Sequence, residues 1–379
     1  MGLQRMSIEQ SGGRESSLAP GSRVLWLDLG KAFAILAVVL THVCTKLILP
    51  LGVDSYGIAS TFVIAFQPLR MPVFFLVSGL LASTSIRRPW GNLLRRKTLL
   101  YYYLYAVWLT VQTALFLGFP NSFEIPTEVA TSPAAFLAQL LHDPSNLWYL
   151  WALALFFPVA KVLARFPAQA TAASLAISTI AFSGPIASLG NAGTALLNLP
   201  WFLVGAYYSS KIIEASKAYS AQRAWIGGAL FLCSTIAYVA MRPSLPVVGR
   251  GLFYLTVCAL AMWCCLQVLP MVAGHAKRMP RLNRLLSHVG ANTLRIYVLH
   301  IPVIASLALL TSALIGAGSI TPSLVPLLAL VVSAVVVALT LGLGAVLSGW
   351  APLLFAPPRR LTRTVDGTGQ DPSPTVGLI

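Results

Sequence analysis

Charged side chains are scarce in this chain of 379 residues. Asp, Glu, Lys and Arg together make up 9% of it, and only 10 residues are acidic. A soluble globular domain carries about 25% charged residues. Since 57% of the chain is also hydrophobic, the composition excludes an ordinary soluble domain and indicates a protein that is embedded in lipid.

Cysteine is rare too, and the apolar runs lack alternation. The five cysteines all lie within apolar runs, at Cys44, Cys233, Cys258, Cys264 and Cys265. None has the spacing to histidine that metal ligands show, and no disulfide framework is visible, so we expect neither a metal nor disulfides. Strands of a membrane barrel alternate apolar and polar residues, and these runs do not. Helices remain as the crossing elements.

Apolar runs of about 18 residues or more, each enough to cross roughly 30 Å of hydrocarbon as a helix, recur along the chain. We predict an all-α, polytopic membrane bundle formed by residues 23–355. The polar segments 1–22 and 356–379 are expected to be disordered and cytoplasmic. About ten spans are predicted, at 24–49, 59–85, 99–119, 147–164, 168–189, 194–210, 224–241, 250–273, 289–316 and 323–353.

The net charge of +16 follows from the loops between the spans. With the N-terminus inside, 20 of the 26 Lys and Arg residues fall on the cytoplasmic side, and only Lys46, Arg242 and Arg250 fall on the outer side. Such a bias is a strong marker of orientation. It places both termini in the cytoplasm, and it explains the charge without a nucleic-acid partner.

The first span carries three ionisable residues, Asp28, Lys31 and His42. Such residues at bilayer depth are costly and usually face a cavity or a partner. Lys31 and His42 share one helix face and lie about 16 Å apart along the axis. Asp28 is one turn before Lys31 and can pair with it, but it is too far from His42 to orient its ring. A structural, hydrogen-bonded role for His42 explains the pattern equally well.

The second span contains "QPLRMPVFFLVSG", in which Arg70 lies between Pro68 and Pro72. Prolines kink or break a helix, and broken helices at membrane depth line cavities. Arg70 lies near the middle of the span, where snorkelling to an interface is difficult. It is therefore a candidate binder of an anion or of a carbonyl oxygen.

Three other segments carry candidate residues. "RRPWGNLLRRKTLLYYY" holds five basic residues, which suit phosphate binding and equally suit an ordinary cytoplasmic loop: Arg87, Arg88, Arg95, Arg96 and Lys97. In "GANTLRIYVLH", Arg295 and His300 lie roughly 140° apart around the helix. His300 either lines the same cavity as His42 or packs in the core, and packing is the favoured role. "LWYLWALALFF" is expected to form an interfacial aromatic belt.

Five segments in order, "WLDLGKAFAILAVVLTH", "RMPVFFLVSG", "PWGNLLRRK", "LWYLWALALFF" and "GANTLRIYVLH", resemble the signature segments of the membrane acyltransferase-3 family. The closer likeness is to its fucose-acetylase-like branch, which includes bacterial exopolysaccharide O-acetyltransferases. The resemblance runs from about Trp26 to Pro302. It implies a ten-helix protein of the bacterial inner membrane that moves acetyl from cytoplasmic acetyl-CoA to a sugar hydroxyl.

The resemblance also implies roles for individual residues. The family's first-helix histidine is catalytic and matches His42, and its basic partner matches Lys31. The paired-arginine loop corresponds loosely to Arg95 and Arg96. Many relatives have histidine where this chain has Arg70, which favours charge stabilisation there over a base. The implied acceptor is a polysaccharide or a lipid-linked oligosaccharide, with polysaccharide assembly machinery as a further partner.

These residues permit a mechanism. Histidine has an unperturbed pKa of about 6.5, so His42 is suited to take the proton of an alcohol. Arg70 would stabilise the oxyanion, and Lys31 with the basic residues of 87–97 would hold the phosphates of CoA. A covalent acetyl-histidine relay stays open. So does a transporter, because mid-membrane charges also mark substrate paths, although no internal repeat is visible.

Overall fold

The structure, a computed structural model, describes residues 25–50, 57–119, 130–142, 145–181, 186, 188–314 and 322–358. Within these ranges the chain is helical and contains no strand, which confirms the predicted all-α bundle. The segment 1–22 and nearly all of the segment 356–379, both predicted to be disordered, lie outside the described residues.

We number the described helices in chain order. They are α1 (Leu25–Val43), α2 (Ile58–Ile86), α3 (Trp90–Leu93), α4 (Leu99–Gly118), α5 (Pro133–Leu141), α6 (Trp148–Leu163), α7 (Pro167–Thr179), α8 (Asn191–Tyr207), α9 (Ser209–Lys217), α10 (Ala221–Met241), α11 (Val247–Ala276), α12 (Pro280–Ala291), α13 (Thr293–Leu314) and α14 (Val325–Trp350). A π-helical turn, Cys44–Ile48, extends α1, and a second, Leu94–Thr98, joins α3 to α4. Short 3₁₀ helices at Pro322–Leu324 and Pro352–Leu354 flank α14.

Seven helical segments of the described chain are long and apolar enough to cross a membrane. They contain α1, α2, α4, α10, α11, α13 and α14. The predicted spans at 147–164, 168–189 and 194–210 each contain a described helix as well, but α6, α7 and α8 have only 16, 13 and 17 residues. A helix of 13 residues is about 20 Å long, which is less than the roughly 30 Å of hydrocarbon. The chain is thus a multi-pass membrane protein with short helices among its long ones.

Two glycines set the crossing of α2 and α8. A Cβ atom added to Gly79 would lie 2.1 Å from the carbonyl oxygen of Phe202, and one added to Gly205 would lie 2.3 Å from that of Leu76. Small residues let membrane helices approach closely, and van der Waals packing then holds them together. This crossing places the short helix α8 in the core, where most of its side chains are buried.

The expectation of a broken second span is wrong. Pro68 and Pro72 lie inside α2, which stays one helix from Ile58 to Ile86. Prolines are tolerated in membrane helices because neighbouring helices and local adjustments compensate for the lost backbone donors. The irregularity lies at the end of α1 instead, where the π turn Cys44–Ile48 begins two residues after His42. Such turns are frequent at functional sites.

The aromatic segment at the start of α6 is core, so the expectation of an interfacial belt is wrong for its buried face. Tyr149 is 1% exposed, and its ring stacks on Phe74 at 4.3 Å between centroids. Its hydroxyl shares a 2.5 Å hydrogen bond with Ser78. A buried tyrosine needs such a partner; since Ser78 supplies one, the hydroxyl does not need to reach water.

The start of the first helix and the end of the last helix lie at the same end of the bundle. Gly290, at the end of α12, lies so close to the start of α1 that an added Cβ would be 2.4 Å from the carbonyl oxygen of Asp28. In the first turn of α13, the Arg295 guanidinium lies 5.9 Å from the ring of Phe355, just after α14. The start of α1 and the end of α14 are therefore neighbours, as the predicted orientation requires.

Candidate active site

Two histidines from distant helices meet inside the bundle. The rings of His42 on α1 and His300 on α13 lie 5.2 Å apart between centroids, at an interplanar angle of 44°. His300 has no exposed surface, whereas His42 is half-buried. The sequence leaves two roles open for His300, packing and lining the same cavity as His42. The structure buries its ring and places it beside that of the candidate base.

The hydrogen bonds of His300 fix which of its nitrogens carries the proton. Its Nδ1 lies 2.6 Å from the carbonyl oxygen of Tyr297 and 3.2 Å from that of Ile296. A carbonyl can only accept, so Nδ1 is the donor, and Nε2 of the neutral ring keeps a lone pair. This Nε2 is enclosed by protein and has no hydrogen-bond partner among the described residues. His300 thus presents an unused acceptor.

The ring of His42 has an unused polar atom. Its Nδ1 is enclosed and has no hydrogen-bond partner within the described part of the chain. The residue as a whole is half-buried. A structural role would give Nδ1 a hydrogen bond, and no described residue supplies one.

Arg70 and Lys46 add positive charge beside the histidine pair. Arg70 on α2 lies within electrostatic range of His42 and of Tyr254 on α11. Its Nη1 is enclosed and without a hydrogen-bond partner, and no carboxylate of the described residues pairs with it. Lys46, in the π turn, lies within electrostatic range of both histidines. An unneutralised guanidinium in a membrane protein favours the approach of an anion or an oxyanion.

A tyrosine network, which the sequence did not reveal, holds His300 in place. The hydroxyl of Tyr297 donates to the carbonyl oxygen of Asn146 at 2.6 Å and accepts from the backbone N–H of Tyr149 at 3.2 Å. The ring of Tyr297 lies 5.8 Å from that of His300. The only signal in the sequence is the spacing of Tyr297 and His300, which are one helical turn apart. The network ties α13 to the start of α6.

Lys31 lies apart from this cluster. Its ammonium pairs with the Asp28 carboxylate at 2.7 Å, and the two side chains are 7% and 9% exposed. The predicted pairing of these residues is confirmed. Along a straight helix Lys31 lies about 16 Å from His42, so the structure does not bring the two together. The role of Lys31 as a basic partner stays a prediction.

The basic residues of 87–97 gather at the end of the bundle where α2 stops and α4 begins. Arg87, Arg88 and Arg95 are exposed, and Arg96 and Lys97 are half-buried. Lys161 at the end of α6 anchors this segment, since its ammonium donates to the carbonyl oxygens of Ile86 at 2.9 Å and Arg88 at 2.6 Å. The Lys97 ammonium lies 5.7 Å from the ring of Phe157, also on α6.

Arg295 does not join the histidine pair. Its Nη1 donates to the side-chain oxygen of Asn292 at 2.7 Å, and its aliphatic part packs against Gly344 of α14. This agrees with the predicted angular separation of Arg295 and His300 around their helix. Arg295 connects α13 to the last helix, whereas His300 faces α1.

The cluster combines the groups that acyl transfer to an alcohol requires. The imidazole of His42 can accept a proton, and the neighbouring guanidinium of Arg70 can stabilise a developing oxyanion. Within the described residues, no group of three or more His, Cys, Asp or Glu side chains is arranged to hold a metal ion.

Comparisons with known proteins agree with this chemistry. A family model described as an acyltransferase domain matches residues 24–343, a range that contains both histidines and Arg70. The chain is similar to the inner membrane protein YcfT of Escherichia coli (strain K12). The two are 26% identical over 293 residues, which cover 73% of this chain and 78% of that protein. No solved structure matches the chain.

Proposed function

Because the chain belongs to the acyltransferase-3 family of membrane proteins, we propose that it is an O-acetyltransferase of the bacterial inner membrane. It moves acetyl from cytoplasmic acetyl-CoA to a sugar hydroxyl of an exopolysaccharide or cell-surface polysaccharide, or of the lipid-linked precursor. The observation that carries the proposal is the contact of His42 with His300 beside the unpaired guanidinium of Arg70. A transporter is not favoured by the family match.

His300 orients the base in this mechanism. Because its Nδ1 donates to backbone carbonyls, its Nε2 can accept a hydrogen bond from Nδ1–H of His42. This leaves the lone pair of His42 on Nε2. The two rings are not hydrogen-bonded to each other in the structure. Catalytic hydrogen bonds commonly tighten only when substrate is bound.

The transfer then follows from these positions. Nε2 of His42 takes the hydroxyl proton as the sugar oxygen attacks the thioester carbonyl, and a carbon–oxygen bond forms. The carbonyl electron pair moves to oxygen, and Arg70 stabilises the resulting charge. When the carbon–sulfur bond breaks, the CoA thiolate takes the proton from the His42 imidazolium. The sugar ester and CoA leave, and His42 is neutral again.

The basic residues of 87–97 would hold the donor. Exposed arginines can bind the phosphates of CoA through charge-assisted, bidentate hydrogen bonds. The thioester must then reach His42, which lies about 16 Å along α1 beyond the level of Lys31. The nucleotide would stay at the cytoplasmic end, and the long arm of CoA would enter the bundle.

The test is acetyl transfer by the purified protein in lipid nanodiscs. Radiolabelled acetyl-CoA is the donor, and glycans from a strain that lacks the protein are the acceptors. We expect label to enter glycan with the wild type and to be lost with His42→Ala. The control is His275→Ala, because His275 is exposed at the end of α11 and bonds only its own helix among the described residues. Normal transfer by His42→Ala contradicts the proposal, as does sugar uptake into vesicles without acetylation.

A further inference from the structure

A groove opens where α10 ends and α11 begins, on the outer side of the predicted membrane orientation. Its volume is about 300 Å³, and it is lined by Arg242 and Arg250 together with Ile64, Val239 and Pro243. A volume of about 300 Å³ is at the lower limit of small-molecule sites. Two arginines and three apolar residues thus line the same groove.

Neither arginine of the groove pairs with an acidic side chain that the structure describes. Arg250 donates from Nη2 to the carbonyl oxygen of Leu245 at a long 3.4 Å, while its Nε is enclosed and has no hydrogen-bond partner among the described residues. No described carboxylate pairs with Arg242 or Arg250. Two like charges that line one small groove repel each other unless an anion lies between them.

The placement of these charges is unusual for a membrane protein. Only three Lys or Arg residues of the chain fall on the predicted outer side, namely Lys46, Arg242 and Arg250. Outer loops of membrane proteins are poor in such residues. Two of the three nevertheless line one groove, and Lys46 lies near the histidine pair. Each of the three outer basic residues therefore lies either in the groove or near the histidine pair.

The groove shares helices α2 and α11 with Arg70 and Tyr254 of the candidate active site. Tyr254 follows Arg250 by one helical turn and lies within electrostatic range of Arg70. On α2, Ile64 precedes Arg70 by six residues, which is about 9 Å along the helix. A ligand held by its anionic group in the groove can thus extend its next group toward His42.

We propose that this groove binds the phosphate of a lipid-linked sugar. The guanidinium groups hold the phosphate oxygens. The lipid chain lies along the apolar surface of the bundle, where Val239 is 44% and Leu252 is 54% exposed. A finished, neutral polymer would use neither feature. The inference rests on the proposed acetyltransferase function and names its acceptor as a lipid-linked saccharide.

The test measures binding to the purified full-length protein by native mass spectrometry. The probes are farnesyl phosphate, farnesol, which lacks the phosphate, and phosphatidylglycerol as an ordinary membrane phospholipid. We expect the double variant Arg242→Gln/Arg250→Gln to weaken farnesyl phosphate binding at least tenfold and to leave the weak binding of farnesol unchanged. The double variant Arg242→Lys/Arg250→Lys keeps the charge and should retain most of the binding.

The matched control is Arg223→Gln, at the opposite end of α10. Arg223 is exposed and donates to the carbonyl oxygen of Ala218 at 2.9 Å, so its loss should not change farnesyl phosphate binding. Equal binding by wild type and the double glutamine variant would overturn the proposal. So would equal affinity for phosphatidylglycerol, since the groove would then be a general headgroup site.

A kinetic measurement separates this inference from the proposed function. With a lipid-linked acceptor, the double glutamine variant should raise KM for the acceptor about tenfold with kcat unchanged. If the protein acetylates only finished polymer, and the double glutamine variant does so at the wild-type rate, the proposed phosphate site is wrong and the acetyltransferase function still holds. If the wild-type protein binds farnesyl phosphate but transfers no acetyl group to any acceptor, the acetyltransferase function is wrong and the proposed phosphate site still holds.

Discussion

The imidazole of His42 lies against the imidazole of His300, with 5.2 Å between the ring centroids. One ring comes from the first helix of the bundle and the other from the thirteenth. The Tyr297 hydroxyl, one turn before His300, donates to the Asn146 carbonyl and fixes this part of α13. The contact places the unused acceptor Nε2 of His300 beside the ring of the candidate base.

Replacing His300 should separate an orienting role from packing. His300→Phe fills the space but offers no acceptor to His42, so we expect kcat to fall about 100-fold, the scale of general-base effects, with KM for acetyl-CoA unchanged. His300→Gln can offer a carbonyl oxygen and should keep several times more activity. Steady-state kinetics with a melting curve for each variant measure this. If both variants are as active as the wild type, His300 serves packing alone.

Arg70 should act mainly in the transition state. Loss of one oxyanion-stabilising donor costs about 100- to 1000-fold in kcat, and we expect this loss for Arg70→Gln at an unchanged KM for both substrates. Arg70→Lys keeps a positive charge and should recover part of the rate. If Arg70→Gln raises only the KM of a substrate, Arg70 binds a ground-state anion instead.

The exposed basic residues at the cytoplasmic end should bind the donor. The triple variant Arg87→Gln/Arg88→Gln/Arg95→Gln removes three exposed charges, and we expect KM for acetyl-CoA to rise about tenfold at constant kcat, because phosphate contacts of arginine are charge-assisted. The difference from the wild type should shrink in high salt. Arg165→Gln, also exposed at this end, is the control. If KM does not change in the triple variant, these residues are ordinary loop charge.

The Asp28–Lys31 pair should serve stability. Breaking a buried ion pair from one side costs about 3–5 kcal/mol, whereas replacing both partners is often neutral. Lys31→Met should therefore lower the melting temperature, and Asp28→Leu/Lys31→Met should restore it with at least about half of the wild-type acetyl transfer. Should the stable double variant be inactive, Lys31 has the functional role that the family resemblance implies.

The crossing of α2 and α8 should tolerate no added methyl group. In Gly205→Ala the new Cβ would meet the backbone oxygen of Leu76 at 2.3 Å, and overpacking of this kind costs about 1–3 kcal/mol. We expect a lower melting temperature in detergent. Gly228→Ala is the matched control, since nothing lies within 4 Å of its Cβ and alanine favours the helix. Equal melting of the two variants would contradict the proposed packing.

Reasoning from the sequence succeeded where a feature is local and failed where it depends on neighbours. The pair of Asp28 with Lys31 follows from their spacing of one turn, and the structure confirms it. The prolines around Arg70 indicated a break, but α2 is continuous, because its path also depends on its contact with α8. Tyr149 resembled an interfacial residue, yet Ser78 on another helix satisfies its hydroxyl within the core.

The sequence by itself determined the membrane class, the helices and the residues able to carry out chemistry, because span length, helix phase and charge bias are properties of short stretches of chain. Only the tertiary structure decided that His300 faces His42, that Arg70 has no carboxylate partner among the described residues, and that Arg242 and Arg250 share a groove. Which helix faces meet depends on close approaches such as Gly79 with Phe202 and Gly290 with Asp28. Those contacts join residues far apart in the chain, and no local pattern encodes them.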